Sequence, residues 1–338
     1  MQAFNNLFHQ YNFPEFIHLS RYSRLDKIDP TGKIIGVEGE LMVTFGIILI
    51  SQYRNLLTCD VINAEFDALV NCGVEIVKNV TIGKDKTLQQ LKDEGYEAAF
   101  VGIGAHASRK LGLEGEDLDG VMHGVDYLRR VNLGESLNLG SNVVVVGGGN
   151  VAIDVARTAL RTGSDKVFIL YRRTKKEMPA SQAEIHHLEE EGVKVEFLAA
   201  PVKIHGENGK LTKIECLRMK LGECDASGRC RPVPIEGSNF MIEADAIIPA
   251  ISQDVQHIEN PEVEIKLSRW QTFEVDEITM QSSVDWIFAG GDAVLGPQTA
   301  AKAAYQGKEA AESIVRYLEG RDLKEGRVPE PEEEKSKE

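Results

Sequence analysis

The sequence predicts an α/β protein whose parallel core sheet is interrupted by a β-meander. First, short apolar runs alternate with helical patterns, as in residues 143–146 and the amphipathic stretch after them. Second, residues 202–242 form short strands separated by glycine turns. Third, the apolar residues 287–289 run directly into Gly290, Gly291 and Asp292. Strands that alternate with helices are typical of parallel sheets covered by helices on both faces.

The elements before residue 140 follow from the spacing of their apolar residues. Helical spacing predicts helices over residues 60–72, 88–94 and 125–131, whereas continuous apolar runs predict strands over 74–77 and 98–103. The second of these strands ends in Gly102 and Gly104.

A glycine turn joins the next strand to its helix. Residues 143–146 are a β-branched run without helical period, which indicates a strand buried on both faces. Gly147, Gly148 and Gly149 follow, a helix opens near Asn150, and residues 167–170 form a second strand. The spacing Gly-x-Gly-x-x-Ala in a strand–turn–helix–strand unit is the fingerprint of a dinucleotide site.

Each position of this fingerprint has a physical role. Gly147 permits the tight turn, Gly149 lets a pyrophosphate approach the backbone, and Ala152 allows close packing of helix and strand. The free N–H groups at the helix start attract phosphate. The alternative is an ordinary strand–helix turn that needed glycines.

The end of the second strand distinguishes the two pyridine nucleotides. An acidic residue there binds the ribose 2′-hydroxyl of NAD, but this sequence has Arg172 and Arg173. Guanidinium groups bind a 2′-phosphate through charge-assisted hydrogen bonds, so the sequence predicts NADP(H). The alternative is a solvated basic surface turn.

The remaining elements continue the α/β pattern. A helix over residues 181–191 and a strand over 193–198 precede the meander, whose turns are 207–209 and 226–228. Strands at 246–251 and 287–289 and a long helix over 299–318, rich in small residues, complete the series.

Composition restricts the classes of function. The 338 residues suffice for two domains, and a net charge of −15 argues against a nucleic-acid partner. The five cysteines form no C-x-x-C pair, which disfavours a disulfide framework, an iron–sulfur cluster or a metal site. We predict free thiols for Cys224 and Cys230 in a hairpin loop, with a metal or redox role as the alternative. The longest apolar run, residues 41–50, is too short to span a bilayer, so we predict a cytoplasmic protein.

Four segments resemble the small (β) subunit of glutamate synthase and its relatives among FAD-dependent NADPH oxidoreductases. They are VVVVGGGNVAIDVARTAL, YRRTKKEMPAS, RPVPIEGSNFMIEADAIIPAISQ and IFAGGDAVLGPQTAAKAAYQGKEAA, and the resemblance covers residues 60–318. It implies a flavoprotein of the two-dinucleotide-binding-domain type, in which a Rossmann-like NADP domain carrying the meander is inserted into an FAD-binding domain.

The resemblance also implies the domain boundaries. Residues 56–107 and 253–322 would form a discontinuous, partial FAD-binding domain, and residues 108–252 the NADP(H)-binding domain. Residues 1–55 lack the family's first FAD glycine turn and its cysteine-rich cluster region, so we expect an atypical or truncated segment. Residues 323–338 are charged and are expected to be a disordered acidic tail.

The implied nucleotide ligands fall in the fingerprint unit. The pyrophosphate of NADPH would contact a run of small residues after the first strand, and the two arginines would bind the 2′-phosphate. Asp154 either pairs with Arg157 three residues on, or lies where flavin and nicotinamide meet. We expect the pyrophosphate contacts from Gly147, Gly148, Gly149, Asn150, Val151 and Ala152.

The implied FAD ligands come from two glycine-rich strand ends. Gly102 and Gly104 lie where the chain passes from one domain to the other. Asp292 would accept hydrogen bonds from the ribityl hydroxyls. The long helix would point its N–H groups at the flavin. The expected contacts at this second motif are Gly291, Asp292, Gln298, Thr299 and Ala300.

The implied reaction is hydride transfer from NADPH to FAD, which needs no acid–base side chain and no metal. Electrons would then pass to a larger or iron–sulfur-containing partner subunit, and the chain itself is a candidate homo-oligomer. One alternative is a non-catalytic NADP(H)-binding subunit that does not hold FAD. Another is a dehydrogenase acting on an organic substrate with His186 or His187 as its proton-transfer group; His106 is a further candidate for cofactor contact.

Overall fold

A computed structural model describes residues 79–225, 228–256 and 261–328, together with residues 67, 70, 71, 73–75 and 77. These residues form two compact units. The first comprises the described residues up to Ala105 and from Val255 onward, and the second is His106–Asp254. The expectations for residues 1–55 and for most of the helix at 60–72 lie outside the described residues.

The second unit is built on a four-stranded parallel sheet. Its strands are β3 (Asn142–Val146), β4 (Lys166–Tyr171), β5 (Lys194–Phe197) and β10 (Ala246–Pro249). The strand order is β10-β3-β4-β5, so β3 lies between the strand that follows it in sequence and one that arrives about a hundred residues later. The predicted parallel core is therefore confirmed.

Helices cover this sheet through small and aliphatic side chains. The helix α3 (Asn150–Arg161) buries Ala152, Ile153, Val155, Ala156 and Ala159 completely against the sheet. The other two helices are α2 (Gly124–Asn132) and α4 (Gln182–Glu190), which contribute Tyr127, Ile185 and Leu188 to the same core. Small residues on α3 allow the close helix–sheet approach that a fingerprint helix requires.

The predicted meander is an antiparallel sheet packed on the opposite face of the parallel sheet. Its long central strand β7 (Lys210–Cys224) pairs with three neighbours, and Ile204, Leu211 and Ile214 pack with Val144 and Ile247. The neighbours are β6 (Ala199–Glu207), β8 (Cys230–Pro234) and β9 (Phe240–Glu243). A short ribbon of β2 (Ala107–Ser108) and β11 (Gln253–Asp254) ends this unit.

The β7–β8 hairpin corrects the prediction of free thiols. Cys224 and Cys230 are directly opposite partners in this antiparallel pair, and they form a disulfide. The sequence separation of six residues concealed this pairing, because only the hairpin register places the two side chains together. Cys216 is a buried free thiol, and burial raises the pKa of Cys216 to about 12.

The first unit has a smaller parallel pair at its centre. In it β1 (Ala99–Val101) pairs with β12 (Ile287–Ala289), although 185 residues separate the two strands. Around them lie α1 (Leu88–Asp93), the short α5 (Asp292–Leu295) and the long α6 (Ala300–Leu318). Phe288 and Ile287 are fully buried, in line with a central position for β12.

Two expectations about the ends of the described chain are wrong. Residues 74, 75 and 77 are not in a strand, and Val77 is 66% exposed, so these three residues do not form the predicted strand. The predicted disordered tail begins too early, because the Arg327 side chain is buried and donates to the Glu309 carboxylate at 2.7 Å and to the Ser313 hydroxyl at 2.6 Å. Residues 329–338 lie outside the described residues.

Candidate functional site

The first two glycines of the turn at residues 147–149 are required by packing within the protein. Gly147 has φ +152°, and a Cβ there would lie 2.3 Å from the carbonyl oxygen of Ala250 at the end of β10. A Cβ on Gly148 would lie 2.4 Å from the Tyr171 ring at the end of β4. These two glycines therefore let three strand ends meet closely.

The third glycine is different, because a Cβ there would clash with no neighbour. A Cβ on Gly149 would meet only Pro179, at 3.7 Å, and its backbone is extended at φ −93°. No side chain caps α3, and the amides of Gly149, Asn150 and Val151 donate to no described residue. Free N–H groups that face open space at a helix start form an anion-binding site.

The end of β4 carries guanidinium groups that no carboxylate neutralises. Neither Arg172 nor Arg173 forms an ion pair with any described residue. Partial burial and the positive charges of Arg173 and Arg229 lower the pKa of Arg172. Arg173 donates through Nε to the carbonyl oxygen of Cys230 at 2.8 Å, which fixes its direction and leaves its terminal nitrogens for a ligand.

The first lysine of the following turn is paired within the protein. Lys175 pairs with Glu189 at 2.6 Å, and Glu177 accepts hydrogen bonds from the backbone and side chain of Thr174. Arg172 and Arg173, in contrast, carry positive charge at the end of β4 that no described carboxylate compensates.

Asp154 does not pair with Arg157, which corrects one of the two interpretations of that residue. Arg157 donates instead to Glu191 at 2.8 Å and to Glu184 at 3.1 Å, both from the region of α4. Asp154 forms no hydrogen bond or ion pair with a described residue. Burial, reinforced by the negative charge of Glu184, raises the pKa of Asp154 to about 6.

We expect Asp154→Asn to stabilise the protein at pH 8. Because the folded-state pKa of Asp154 is raised from 3.8 to about 6, ionisation of the native carboxyl costs free energy above pH 6, and this cost disappears below pH 4. The gain in unfolding free energy at pH 8 should be about 2 to 3 kcal/mol. Urea titrations at pH 8 and pH 4 measure it, with the exposed Asp117→Asn as control. An equal gain at both pH values would contradict the assignment.

The side chains of the histidines in the dehydrogenase alternative form no hydrogen bond with the fingerprint turn in the described part of the chain. His186 and His187 are exposed on α4, and His186 lies 3.4 Å from Glu190 on the same helix. His106 is also exposed. His186 and His187 lie on the solvent-exposed face of their helix. This position disfavours a role for them in proton transfer to or from a nucleotide-bound substrate.

In the first unit, the β1–β12 pairing brings two distant glycine motifs together. Val101 is opposite Ala289, and the amide of Gly290 donates to the carbonyl of Val101 at 3.3 Å. Gly102 and Gly290 therefore lie side by side where two parallel strands end. Ligands of open α/β sheets bind at such carboxyl ends.

Asp292 lies directly at this edge. Its side chain is 6% exposed, and its Oδ1 accepts a hydrogen bond from the amide of Gln298 at 3.1 Å. The amide of Gly291, at φ +69°, donates to the Oε1 of Gln306 at 2.7 Å, and Ala303 packs against the same glycine. The glycine turn is thus held against α6 by a buried amide side chain.

The start of α6 faces the same loop. Thr299 caps this helix by accepting from the amide of Lys302 at 3.4 Å, and α6 begins at Ala300. The sequence-predicted residues Gly291, Asp292, Gln298, Thr299 and Ala300 accordingly share one strand–turn–helix segment. The region expected to lack the first FAD glycine turn lies outside the described residues.

Several residues at these two sites were not found from the sequence. Tyr171 and Ala250 form walls around the fingerprint glycines, and Gln306 binds the Gly291 amide. A single Gln within the small-residue stripe of α6 was the available signal for Gln306. The contact of Arg173 with Cys230 had no signal, since 57 residues separate them.

A glycine turn at an uncapped helix, with two unpaired arginines at the end of the adjacent strand, is the arrangement typical of dinucleotide-binding α/β proteins. The family model for pyridine nucleotide-disulphide oxidoreductases matches residues 37–307. The chain belongs to this family.

Two curated relatives support the resemblance to glutamate synthase small chains and place it in a wider group. The chain is 43% identical over 274 residues to the NADP(+)-dependent formate dehydrogenase subunit beta of Moorella thermoacetica, covering 80% of this chain and 38% of that protein. It is 37% identical over 275 residues to the glutamate synthase [NADPH] small chain of Azospirillum brasilense, covering 77% and 57%. The chain thus spans about half the length of these relatives.

A solved structure supports the fold class. FprA of Mycobacterium tuberculosis in complex with NADPH matches with a TM-score of 0.67 and 19% identity, covering 80% of this chain and 75% of that chain. Within the described part of our chain, no helix combines the length and apolarity needed to cross a bilayer.

Proposed function

We propose that the chain is the NADPH-oxidising flavin module of a multi-subunit oxidoreductase. The second unit would bind NADP(H), the first unit would bind FAD, and hydride would pass from the nicotinamide to the flavin. The observation that carries this proposal is the open turn at Gly149 beside the unpaired Arg172 and Arg173.

The residues of the second unit fit NADP(H) on physical grounds. Gly149 leaves the space that a pyrophosphate needs, and the adjacent amides lack partners within the described chain. The arginines would bind the 2′-phosphate, whereas a carboxylate would be required for the ribose hydroxyl of NAD. Of the compared proteins, the formate dehydrogenase subunit is named for NADP(+), the glutamate synthase chain for NADPH, and FprA was solved with NADPH.

The residues of the first unit fit the flavin side of FAD. The buried carboxylate of Asp292 would hold ribityl hydroxyls, and the start of α6 would direct N–H groups at the flavin edge. Gly102, Gly104 and Gly291 would let the backbone approach the cofactor. A bound flavin accepts hydride directly, so this chain would need to position and shield the rings without donating a proton.

The names of the relatives support a partner. One is a subunit beta and the other a small chain, so we propose that electrons leave this chain for a larger subunit that contains iron–sulfur clusters. The described residues contain no group of His, Cys, Asp and Glu side chains that could hold a metal ion. We place this assembly in the cytoplasm. We also propose that the chain associates with further copies of itself.

Anaerobic reduction tests this function. The full chain is incubated with FAD, separated from free flavin and mixed with NADPH or NADH while the flavin absorbance is followed. Both nucleotides are used at the same subsaturating concentration. We expect NADPH to bleach the flavin rapidly and NADH to bleach it at least about tenfold more slowly, because each lost charge-assisted hydrogen bond lowers nucleotide affinity about tenfold or more. A chain that binds NADPH in calorimetry but takes up no FAD would overturn the flavin assignment and support the non-catalytic alternative.

A further inference from the structure

We propose that Arg229, at the tip of the β7–β8 hairpin, is a third ligand of the nucleotide 2′-phosphate and a determinant of selectivity for NADP(H). This inference rests on the proposed function of the second unit. It adds to the site a residue from the meander, 56 positions after Arg173 in the sequence.

The hairpin fixes the backbone of Arg229 on both sides. Arg229 donates its amide to the Asp225 Oδ1 at 3.1 Å, and its carbonyl accepts from the Asp225 amide at 3.1 Å. The next residue, Cys230, is joined to Cys224 by the disulfide. The position of Arg229 is therefore determined by the fold of the hairpin, independently of any ligand.

The hairpin is itself attached to the end of β4. The carbonyl of Cys230 accepts from the Nε of Arg173 at 2.8 Å. Since Arg229 directly precedes Cys230, this bond brings the backbone of the meander arginine close to Arg173. One of the two predicted phosphate ligands is thus oriented by the hairpin that carries the third.

The three arginines concentrate charge without compensation. None of Arg172, Arg173 and Arg229 forms an ion pair with a described carboxylate, although the chain has 53 acidic against 38 basic residues. Other arginines, such as Arg157 and Arg218, are paired with glutamates. The positive charge of Arg229 also lowers the pKa of Arg172, which places the two groups within electrostatic range.

This arrangement has a direct chemical interpretation. Like charges held together in the folded state repel each other, and a bound dianion removes that repulsion. A phosphate monoester offers three acceptor oxygens, so three guanidinium groups from two elements can each donate to it. The 2′-hydroxyl of NAD(H) offers no such charge, and Arg229 should contribute little to its binding.

Calorimetry with the full chain tests the inference by measuring the binding of ligands that contain only the adenosine part of the nucleotide. The probes are adenosine 2′,5′-bisphosphate and 5′-AMP, which differ only in the 2′-phosphate and need neither flavin nor turnover. We expect Arg229→Gln to raise the Kd of the bisphosphate about tenfold and to leave that of 5′-AMP unchanged. Arg229→Lys should give an intermediate loss of bisphosphate affinity, because lysine keeps the charge but lacks the paired N–H donors of the planar guanidinium group.

The control is Arg231→Gln, which removes the same charge from the same hairpin. Thermal unfolding of each variant establishes that the fold is retained. If Arg229→Gln behaves like Arg231→Gln while Arg172→Gln loses affinity, the role of Arg229 is wrong and the proposed NADP(H) site stands. If the wild-type chain does not distinguish the two probes, both proposals are overturned.

Discussion

Replacing Gly149 with valine is expected to weaken NADP(H) binding strongly while the protein remains folded. The Cβ at this position would clash with nothing, since its nearest neighbour is Pro179 at an ordinary contact distance of 3.7 Å, and the extended backbone at φ −93° suits a β-branched residue. A valine side chain would occupy the place where a pyrophosphate approaches the backbone. We expect the Kd to rise about a hundredfold or more, with a stability change of about 1 kcal/mol or less.

Gly147→Ala is the matched comparison, because it should lower the stability of the fold and should not place a side chain where the pyrophosphate binds. Its methyl group would lie 2.3 Å from the Ala250 carbonyl oxygen at φ +152°, so the chain must shift. Overpacking and backbone strain of this kind cost about 3 kcal/mol. Calorimetry with NADPH and urea unfolding separate the two effects. An unchanged NADPH affinity in folded Gly149→Val protein would show that the nucleotide binds elsewhere.

The double variant Arg172→Gln/Arg173→Gln is expected to remove the preference for NADPH over NADH. Each charge-assisted hydrogen bond contributes about 1.5 to 3 kcal/mol, so two lost guanidinium groups should lower kcat/KM for NADPH about a thousandfold. The value for NADH should change little, because its ribose hydroxyl has no charge to pair. Steady-state rates with both nucleotides and a soluble electron acceptor measure the ratio.

Two further variants define this result. Arg172→Gln alone leaves the Arg173–Cys230 hydrogen bond in place. It should therefore lower kcat/KM for NADPH about thirtyfold without disturbing the hairpin. Lys176→Gln removes one charge from the same basic run, at an exposed position, and should leave the ratio unchanged. A selectivity ratio unaffected by the double change would refute the assignment of the 2′-phosphate to this strand end.

The fingerprint unit was predictable because its signal is local. Strand, glycine turn, helix and next strand are contiguous in residues 142–171, and the arginines follow directly. Hydrophobic period and glycine spacing determine such a unit without reference to the rest of the chain. The meander was predictable for the same reason, since its turns and alternating strands are short-range features.

The partners of these residues were not predictable from the pattern. Asp154 and Arg157 have the spacing of a helix pair, yet Arg157 binds two glutamates near α4, because helix packing offered it better-placed acceptors. Cys224 and Cys230 looked like loop thiols until the strand register placed them opposite each other.

The sequence by itself determined the α/β class, the glycine turn and the arginines that favour NADP(H), because each depends on residues close together along the chain. Only the tertiary structure decided which distant groups complete the sites. It placed Gly102 beside Gly290, bound the Gly291 amide to Gln306 and joined Arg173 to the carbonyl of Cys230. These contacts depend on strand order and register, which arise from packing of the whole core and leave no periodic trace in the sequence.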